Sequence, residues 1–192
     1  MMRKIERENT GLLQAGQDLV VAGYAGLAGT VKLAEAAKEE LSRWFSDEYM
    51  EEIADAAPLC PVSPEFWRSC GAAEWEPAGE GGILTAIWNL TGAYETGVEF
   101  YLRQIPMCQE TVEVCERLEL NPYRLYSQGC VLLTADNGGQ LVRTLAEKNI
   151  PAQVIGRVNK GIAREMIVQE GRGFLERPQP DEITKVIPGF FN

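Results

Sequence analysis

The alternation of short apolar segments with longer segments of helical periodicity is the feature that most constrains what this sequence can fold into. Residues 18–24 form an apolar, β-branched run bounded by glycines, which predicts a buried strand, and residues 31–45 repeat apolar positions at helical spacing. A glycine-rich turn separates the two segments. Strands and helices go on alternating without an internal repeat or a low-complexity block. The sequence therefore predicts the α/β (α+β) class, in which helices are layered on a sheet.

The same patterns predict most of the remaining elements. Further helices are expected at 48–57, 64–70, from 82 to Gly92 or Gly97, 110–118 and 140–148, and further strands at 98–102, 129–135 and 153–158. Residues 162–169 and 174–177 are predicted to pair as a hairpin. Residues 71–82 are rich in Gly, Pro and Glu and are predicted to be a loop.

The length of 192 residues is that of one ordinary domain. We divide it into an N-terminal extension (1–15), a domain (16–177) and a proline-rich C-terminal tail (178–192). The tail contains Pro178, Pro180 and Pro188, and it is predicted to pack loosely or to contact a partner.

The absence of histidine excludes several kinds of active site. No Ser-His or Cys-His nucleophile pair, no histidine metal ligand and no imidazole proton shuttle can form. The net charge of −10 and the lack of a Lys/Arg cluster argue against binding to nucleic acids or anionic membranes. Residues 51–100 hold nine acidic residues and one basic residue. We interpret this segment as a solvated acidic face, with an acidic docking surface as the alternative.

The five cysteines and the N-terminus indicate where the protein is located. No two cysteines are spaced as Cys-x-x-Cys, so neither a zinc site nor a redox motif is expected. Cys108 and Cys115 lie about two helical turns apart, and both are predicted to face the protein core. The first ten residues are charged and polar, unlike a secretory signal, and no apolar run is long enough to span a membrane. The sequence predicts a cytoplasmic protein with free thiols, no metal site and no membrane segment.

Three loops are candidates for ligand binding. The loop at 23–30 joins a strand to a helix, where backbone N–H groups can bind an anion, although close packing of strand on helix is the alternative. The loop at 80–82 begins another helix, but its glutamate would repel an anion unless a cation intervened. The loop at 126–129 precedes a buried strand and suits either binding or a tight turn. The candidate ligand-binding residues are Gly26, Gly29, Thr30, Glu80, Gly81, Gly82, Ser127 and Gly129.

These loops lie within three segments that resemble a known family. The segments are Gly16–Ala34, Glu80–Ala135 and Ile150–Val158, and the second reads EGGILTAIWNLTGAYETGVEFYLRQIPMCQETVEVCERLELNPYRLYSQGCVLLTA. They are similar to the C-terminal domain of the AIR synthase (aminoimidazole ribonucleotide synthetase) superfamily, and most of all to its hydrogenase maturation branch. The resemblance implies a three-layer α/β/α sandwich, partly similar to the ferredoxin-like fold.

The resemblance also carries expectations about activity. Family members bind ATP and magnesium mainly through an N-terminal domain that also forms the dimer, and they use ATP to phosphorylate an amide or related oxygen. The hydrogenase maturation branch dehydrates a thiocarboxamide to a nitrile in this way. Only about 15 residues precede the matching region here, so that ATP domain is expected to be absent.

Two departures from the family pattern bear on function. Pro77 and Gly79 replace the Asp and Thr that the family usually carries before the Gly81-Gly82 pair. The chain also ends on Phe191-Asn192, whereas the maturation proteins end on the Cys that carries the thiocarboxamide.

Two functional hypotheses follow. The first is a non-catalytic binding or assembly module that needs no cofactor and forms a homodimer or higher homo-oligomer, because an apolar face without its ATP domain would otherwise be exposed. The second is the substrate-binding half of a split enzyme, which uses ATP and magnesium after a separate ATP-domain protein completes it. Neither hypothesis assigns a catalytic residue to this chain.

Overall fold

A computed structural model of the chain describes residues 12–56 and 63–192. The strands in these residues are β1 (Asp18–Ala22), β2 (Glu74–Pro77), β3 (Gly97–Tyr101), β4 (Val131–Ala135), β5 (Ala152–Asn159), β6 (Arg164–Val168) and β7 (Gly171–Phe174). The α-helices are α1 (Leu27–Ala36), α2 (Lys38–Leu41), α3 (Asp47–Asp55), α4 (Pro64–Cys70), α5 (Gly82–Ala93), α6 (Gln109–Arg117) and α7 (Gly138–Ala146). Short 3₁₀ turns lie at Leu102–Gln104, Pro122–Arg124 and Glu182–Lys185.

The strands form one sheet in the order β2-β4-β1-β5-β3-β6-β7. Neighbouring strands are antiparallel except β3 and β6, which are parallel. β1 lies between β4 and β5, and its residues 19–22 are completely buried. A strand that is covered on both faces reads as a continuous apolar run, which is why this strand is evident from the sequence.

Helices cover both faces of the sheet. Successive side chains of a strand point to opposite faces, and the apolar residues of β1 therefore pack against helices on each side. Leu19 and Val21 of β1 belong to the apolar cluster that includes Ile83 of α5. Val20 belongs to the cluster on the other face, which includes Trp67 of α4 and residues of α7. The predicted α/β class and its three-layer arrangement are confirmed.

A third apolar cluster lies among helices. Leu33 of α1, Ile53 of α3 and Val114 of α6 are completely buried together with Leu125 and Ile183. This cluster fixes α1 beside the loop that precedes β4, and it includes a residue of the C-terminal tail.

The first predicted helix begins earlier than expected and is interrupted. It starts at Leu27, directly after Gly26, and it stops at Ala37, whose φ of −106° and ψ of 26° are not helical. α2 then continues for one turn. Apolar periodicity continues through a break of one residue, so the sequence pattern does not reveal it.

The segment predicted as the loop 71–82 contains β2, so that prediction is wrong in part. Residues 74–77 pair with β4, from Glu74 opposite Thr134 to Pro77 opposite Val131. β2 is an edge strand, where a terminal proline is tolerated. Its glutamates hide the strand pattern, yet Glu74 is only 2% exposed and its carboxylate accepts a hydrogen bond from the Tyr94 hydroxyl.

The other predicted elements are present, most with ends shifted by one or two residues. α3 is capped by Ser46, whose Oγ accepts a hydrogen bond from the Tyr49 N–H at 3.2 Å, and residue 57 lies outside the described residues. β6 and β7 form the predicted hairpin, although β7 begins at Gly171 rather than at 174. None of the helices in residues 12–56 and 63–192 is both long and apolar enough to cross a bilayer.

The C-terminal tail, predicted to pack loosely or to contact a partner, is buried at one turn, whereas its residues 178–180 and 191–192 are exposed. Asp181, Glu182 and Ile183 are buried, with exposed fractions of 2%, 8% and 0%. The N-terminal extension falls largely on residues 1–11, outside the described part of the chain, while Leu13 packs in the cluster under α5.

Candidate functional site

The structure brings the three predicted loops together. The Gly26 N–H donates to Ser127 Oγ at 2.8 Å, and the Gly29 N–H donates to the Tyr126 carbonyl at 2.9 Å. A Cβ on Gly82 would lie 2.5 Å from the Tyr123 carbonyl oxygen. We call this contact region, residues 23–30, 79–82 and 121–130, the loop junction.

Close packing accounts for the glycines at the start of α1. A Cβ on Gly29 would lie 2.5 Å from Leu125 Cγ, closer than real Cβ atoms approach another carbon. Thr30 Oγ1 lies 2.9 Å from both the Gly26 carbonyl oxygen and Thr111 Oγ1. The polar groups of Gly26, Gly29 and Thr30 therefore have partners inside the protein, as the packing alternative expects.

The start of α5 presents backbone N–H groups on a pair of glycines. Gly81 and Gly82 have φ values of 77° and 67°, which glycine adopts without strain. The Gly82 N–H donates to the Gly79 carbonyl at 3.1 Å, and the Gly81 N–H donates to Oδ2 of Asp181 at 2.6 Å. The predicted anion-binding loop therefore holds a carboxylate from the protein's own tail.

Asp181 is the residue that joins the loops to the tail. Its Oδ1 accepts hydrogen bonds from the Tyr126 N–H at 3.1 Å and from the Ile183 N–H at 2.9 Å. Burial raises the pKa of the Asp181 carboxyl above its ordinary value of 3.8, and the charge of Glu80 acts in the same direction, against the three N–H donors. Sequence reasoning missed this residue. An Asp that caps the following turn through Ile183 is the local signal that could have marked its position.

Neighbouring contacts of the tail strengthen this attachment. Glu182 Oε2 accepts from the Asn121 N–H at 3.1 Å and lies 2.7 Å from Lys185 Nζ. The rings of Phe190 and Phe191 lie edge-on to Tyr126, with centroids 5.3 and 5.6 Å away. The tail is therefore held to the 121–130 loop by two carboxylates and by aromatic contacts.

The remaining candidate residues lie around this attachment. The Glu80 side chain is exposed, Ser127 is buried and donates to the Leu125 carbonyl at 2.7 Å, and Gly129 is half-buried in a turn with a φ of 84°. The Thr85 hydroxyl, one turn into α5 and beside Gly81, has no hydrogen-bond partner among the described residues.

The loop junction does not fit a nucleotide–magnesium complex in this arrangement. The Gly81 N–H is already bound to Asp181, and residues 12–56 and 63–192 contain no group of three or more Cys, Asp or Glu placed to hold a metal ion. Cavities of about 540 and 440 Å³ lie elsewhere, the first between α1 and α3 and the second between residues 103–107 and 151–153.

Comparison with known proteins shows which family this chain matches. Residues 14–169 match the family model of AIR synthase related protein, C-terminal domain. No curated protein matches the sequence significantly.

Solved structures with the same fold include hydrogenase maturation proteins and a kinase. E. coli HypE, a hydrogenase maturation protein, matches with a TM-score of 0.66 and 20% identity over 88% of this chain and 52% of its own. HypE in complex with ATP matches with a TM-score of 0.64 and 15% identity over 88% of this chain and 53% of its own. Thiamine-monophosphate kinase from Stenotrophomonas maltophilia K279a matches with a TM-score of 0.60 and 17% identity over 81% of this chain and 51% of its own. The chain thus spans about half the length of these structures.

Proposed function

Because this chain belongs to the family of AIR synthase related protein C-terminal domains, we propose that it acts as a binding or assembly module of that type and is not catalytic by itself. In this proposal the module is related in function to the hydrogenase maturation factors, whose fold it shares. The module acts in the cytoplasm, on a protein or small-molecule partner, and does not bind nucleic acid or membranes.

The observation that carries this proposal is the internal use of the polar groups at the loop junction. The N–H groups of Gly26, Gly29 and Gly81 donate to Ser127, Tyr126 and Asp181, so they are not available to a ligand in this arrangement. A nucleotide-using site requires such donors to be free and preorganised for phosphate.

The titratable groups give a second line of support. The sequence has no histidine, and burial raises the pKa of the Cys108 and Cys115 thiols to about 11 and about 12. These thiols stay protonated near neutral pH and are poor nucleophiles. Catalysis by an imidazole or by the thiolate of Cys108 or Cys115 therefore has no support in this chain.

Thermal unfolding with ATP and magnesium tests this proposal. For the isolated chain we expect the melting temperature to be unchanged, because a module without a nucleotide site gains no binding free energy. Adenosine with the same magnesium concentration is the control for nonspecific effects. A rise of several degrees that saturates with ATP would overturn the non-catalytic proposal.

A second candidate function is the substrate-binding half of an ATP-dependent enzyme. The similarity to HypE in complex with ATP favours it, since this chain corresponds to about half of that protein. In this proposal a separate protein supplies the ATP domain, and ATP with magnesium binds only in the complex.

Co-expression with a candidate ATP-domain protein distinguishes the two functions. The split-enzyme hypothesis expects the two chains to co-purify and to hydrolyse ATP only when mixed. Co-purification without ATP turnover would support the assembly module instead.

A further inference from the structure

Two adjacent acidic residues of the C-terminal tail are buried against the loops that sequence reasoning selected for ligand binding. Asp181 is 2% exposed and Glu182 is 8% exposed, although acidic side chains are rarely buried to this extent without a specific partner. Both accept hydrogen bonds from backbone N–H groups of residues that lie at least 55 positions away in the sequence. The tail therefore makes specific polar contacts and is more than an apolar cover.

The Asp181 carboxylate lies where an external anion would be most attracted. α5 has twelve residues, and the positive end of its dipole coincides with the Gly81 N–H that donates to Oδ2 at 2.6 Å. The other oxygen accepts from the Tyr126 N–H, so one carboxylate joins two loops. The unpartnered Thr85 hydroxyl lies beside Gly81 and is a further donor at the same place.

The segment that carries Asp181 follows an exposed connection and is then attached to the protein by a buried turn, in which Ile183 joins the helical cluster of α1, α3 and α6. Residues 176–180 are all exposed and include Pro178 and Pro180, and they separate β7 from the buried turn at 181–183. Beyond the turn, Phe190 and Phe191 contact the Tyr126 ring. These contacts join the tail to loops and to the helical cluster, so the tail can detach without breaking a strand pairing of the sheet.

We propose that residues 178–192 form an autoinhibitory latch, in which the Asp181 carboxylate occupies the Gly81 and Tyr126 N–H donors and excludes an external anion until the tail detaches. The anion is a phosphate or carboxylate group of a ligand or partner. The proposal applies to either function considered above, since an assembly module and a split enzyme would both gain a closed state from it.

Amide hydrogen exchange of the intact chain tests whether the latch opens on its own. The amides of Gly81, Tyr126, Asn121 and Ile183 are bound to the two carboxylates and should exchange together, at least tenfold faster than those of β1 and β4. Exchange of these four amides at the same rate as the central strands would overturn the latch, because the tail would then open only when the whole protein unfolds.

Anion titration of a matched pair of variants tests the autoinhibition. Asp181→Asn keeps an oxygen for Tyr126 and Ile183 but places an NH₂ against the Gly81 N–H. Glu176→Gln removes the same charge from an exposed side chain just before the latch, which pairs with Arg124 at 3.6 Å. We expect inorganic phosphate or acetate to shift the Gly81 and Tyr126 resonances of Asp181→Asn at concentrations at least tenfold lower than in the wild type or Glu176→Gln, with chloride at matched ionic strength as the blank.

The two anions distinguish the source of the ligand group, since preference for phosphate points to a phosphorylated ligand and preference for acetate to a carboxylate. Equal binding by all three proteins, or no anion binding by folded Asp181→Asn, would contradict autoinhibition. If Asp181→Asn does not fold, the exchange rates of the wild type still decide whether the latch exists.

Discussion

At Gly29, a single hydrogen atom in place of a side chain determines how closely α1 approaches the loop that precedes β4. A Cβ there would meet Leu125 Cγ at 2.5 Å and the Tyr126 carbonyl oxygen at 2.9 Å. Neither neighbour can move freely, because Leu125 is completely buried and Tyr126 accepts the Gly29 N–H. The role of this glycine is set by packing.

We predict that Gly29→Ala lowers the free energy of unfolding by about 1–3 kcal/mol, the usual cost of overpacking a tight contact. Urea denaturation followed by circular dichroism measures the change. Gly139→Ala is the matched control, since Gly139 also lies near the start of a helix but is exposed, with no atom closer than 3.6 Å to the added Cβ. The control should be neutral or slightly stabilising. Equal destabilisation by both substitutions would contradict the packing role.

Asp181 makes stability depend on pH in the opposite sense to an ordinary paired carboxylate. Because burial raises its pKa, the folded protein binds this proton more tightly than the unfolded chain does. Its contribution to stability is therefore present at low pH and is lost as pH rises through the raised pKa. Among the charged groups around it, Glu80 reinforces the effect, whereas Glu182 is paired with Lys185.

We predict that the free energy of unfolding of the wild type, relative to Asp181→Asn, falls as pH is raised from about 4 towards neutrality, because the asparagine does not titrate. Denaturant titrations of both proteins at several pH values give this difference. A difference that rises with pH would show that the three N–H donors outweigh burial.

At the scale of elements, Arg164 joins the β6–β7 hairpin to α5. Its Nε–H donates to Thr91 Oγ1 at 2.6 Å, and its guanidinium lies 4.1 Å from the centre of the Trp88 ring. Burial lowers the pKa of this guanidinium, as expected for a charge partly removed from water. By contrast, Arg172 on β7 forms exposed ion pairs with Glu99 and Glu165.

We predict that Arg164→Ala lowers the free energy of unfolding by about 1–2 kcal/mol, through loss of a cation–π contact and a hydrogen bond. Amide exchange in β6 and β7 should accelerate more than exchange in β1. Arg172→Ala should cost at most about 1 kcal/mol, because solvent screens its ion pairs. The interpretation would be wrong if the two variants lost the same stability.

At the scale of the whole molecule, the end of the sheet formed by β3, β6 and β7 carries exposed apolar side chains. Tyr101 of β3 and Phe174 of β7 are 42% and 69% exposed, and the strand pairings place both on the face that also carries Ile167. Ile162, in the turn before β6, is 76% exposed. The same face also carries the ion pairs of Arg172 with Glu99 and Glu165, and we propose this mixed surface as the interface of the homo-oligomer that the sequence predicts.

We predict that the wild type sediments at micromolar concentration as a dimer, with twice the 21.3 kDa of one chain, and that Phe174→Glu shifts it to monomer. Trp44→Glu is the control, since Trp44 is 62% exposed but does not belong to a strand and lies against Arg117 of α6. A wild-type protein that is monomeric at these concentrations would contradict the prediction.

The sequence by itself determined the class of the fold and the order of its elements. Apolar periodicity is local, so β1, α5 and α7 could be predicted from neighbouring residues alone. The sequence also predicted the three loops that meet at the loop junction, because glycines in turns between strands and helices are evident in it. β2 was missed because its glutamates and proline hide a strand that exists through pairing with β4.

Only the tertiary structure decided what the selected glycines do and where the tail lies. The Gly29–Leu125 contact and the Gly81–Asp181 hydrogen bond join residues about a hundred positions apart. No local pattern reports such a contact, because the energy of a hydrogen bond or of close packing depends on distance in space and not on separation along the chain. The positions of the loops can therefore be predicted from the sequence, whereas the contact of the Asp181 carboxylate with the loop at Gly81 depends on the tertiary fold.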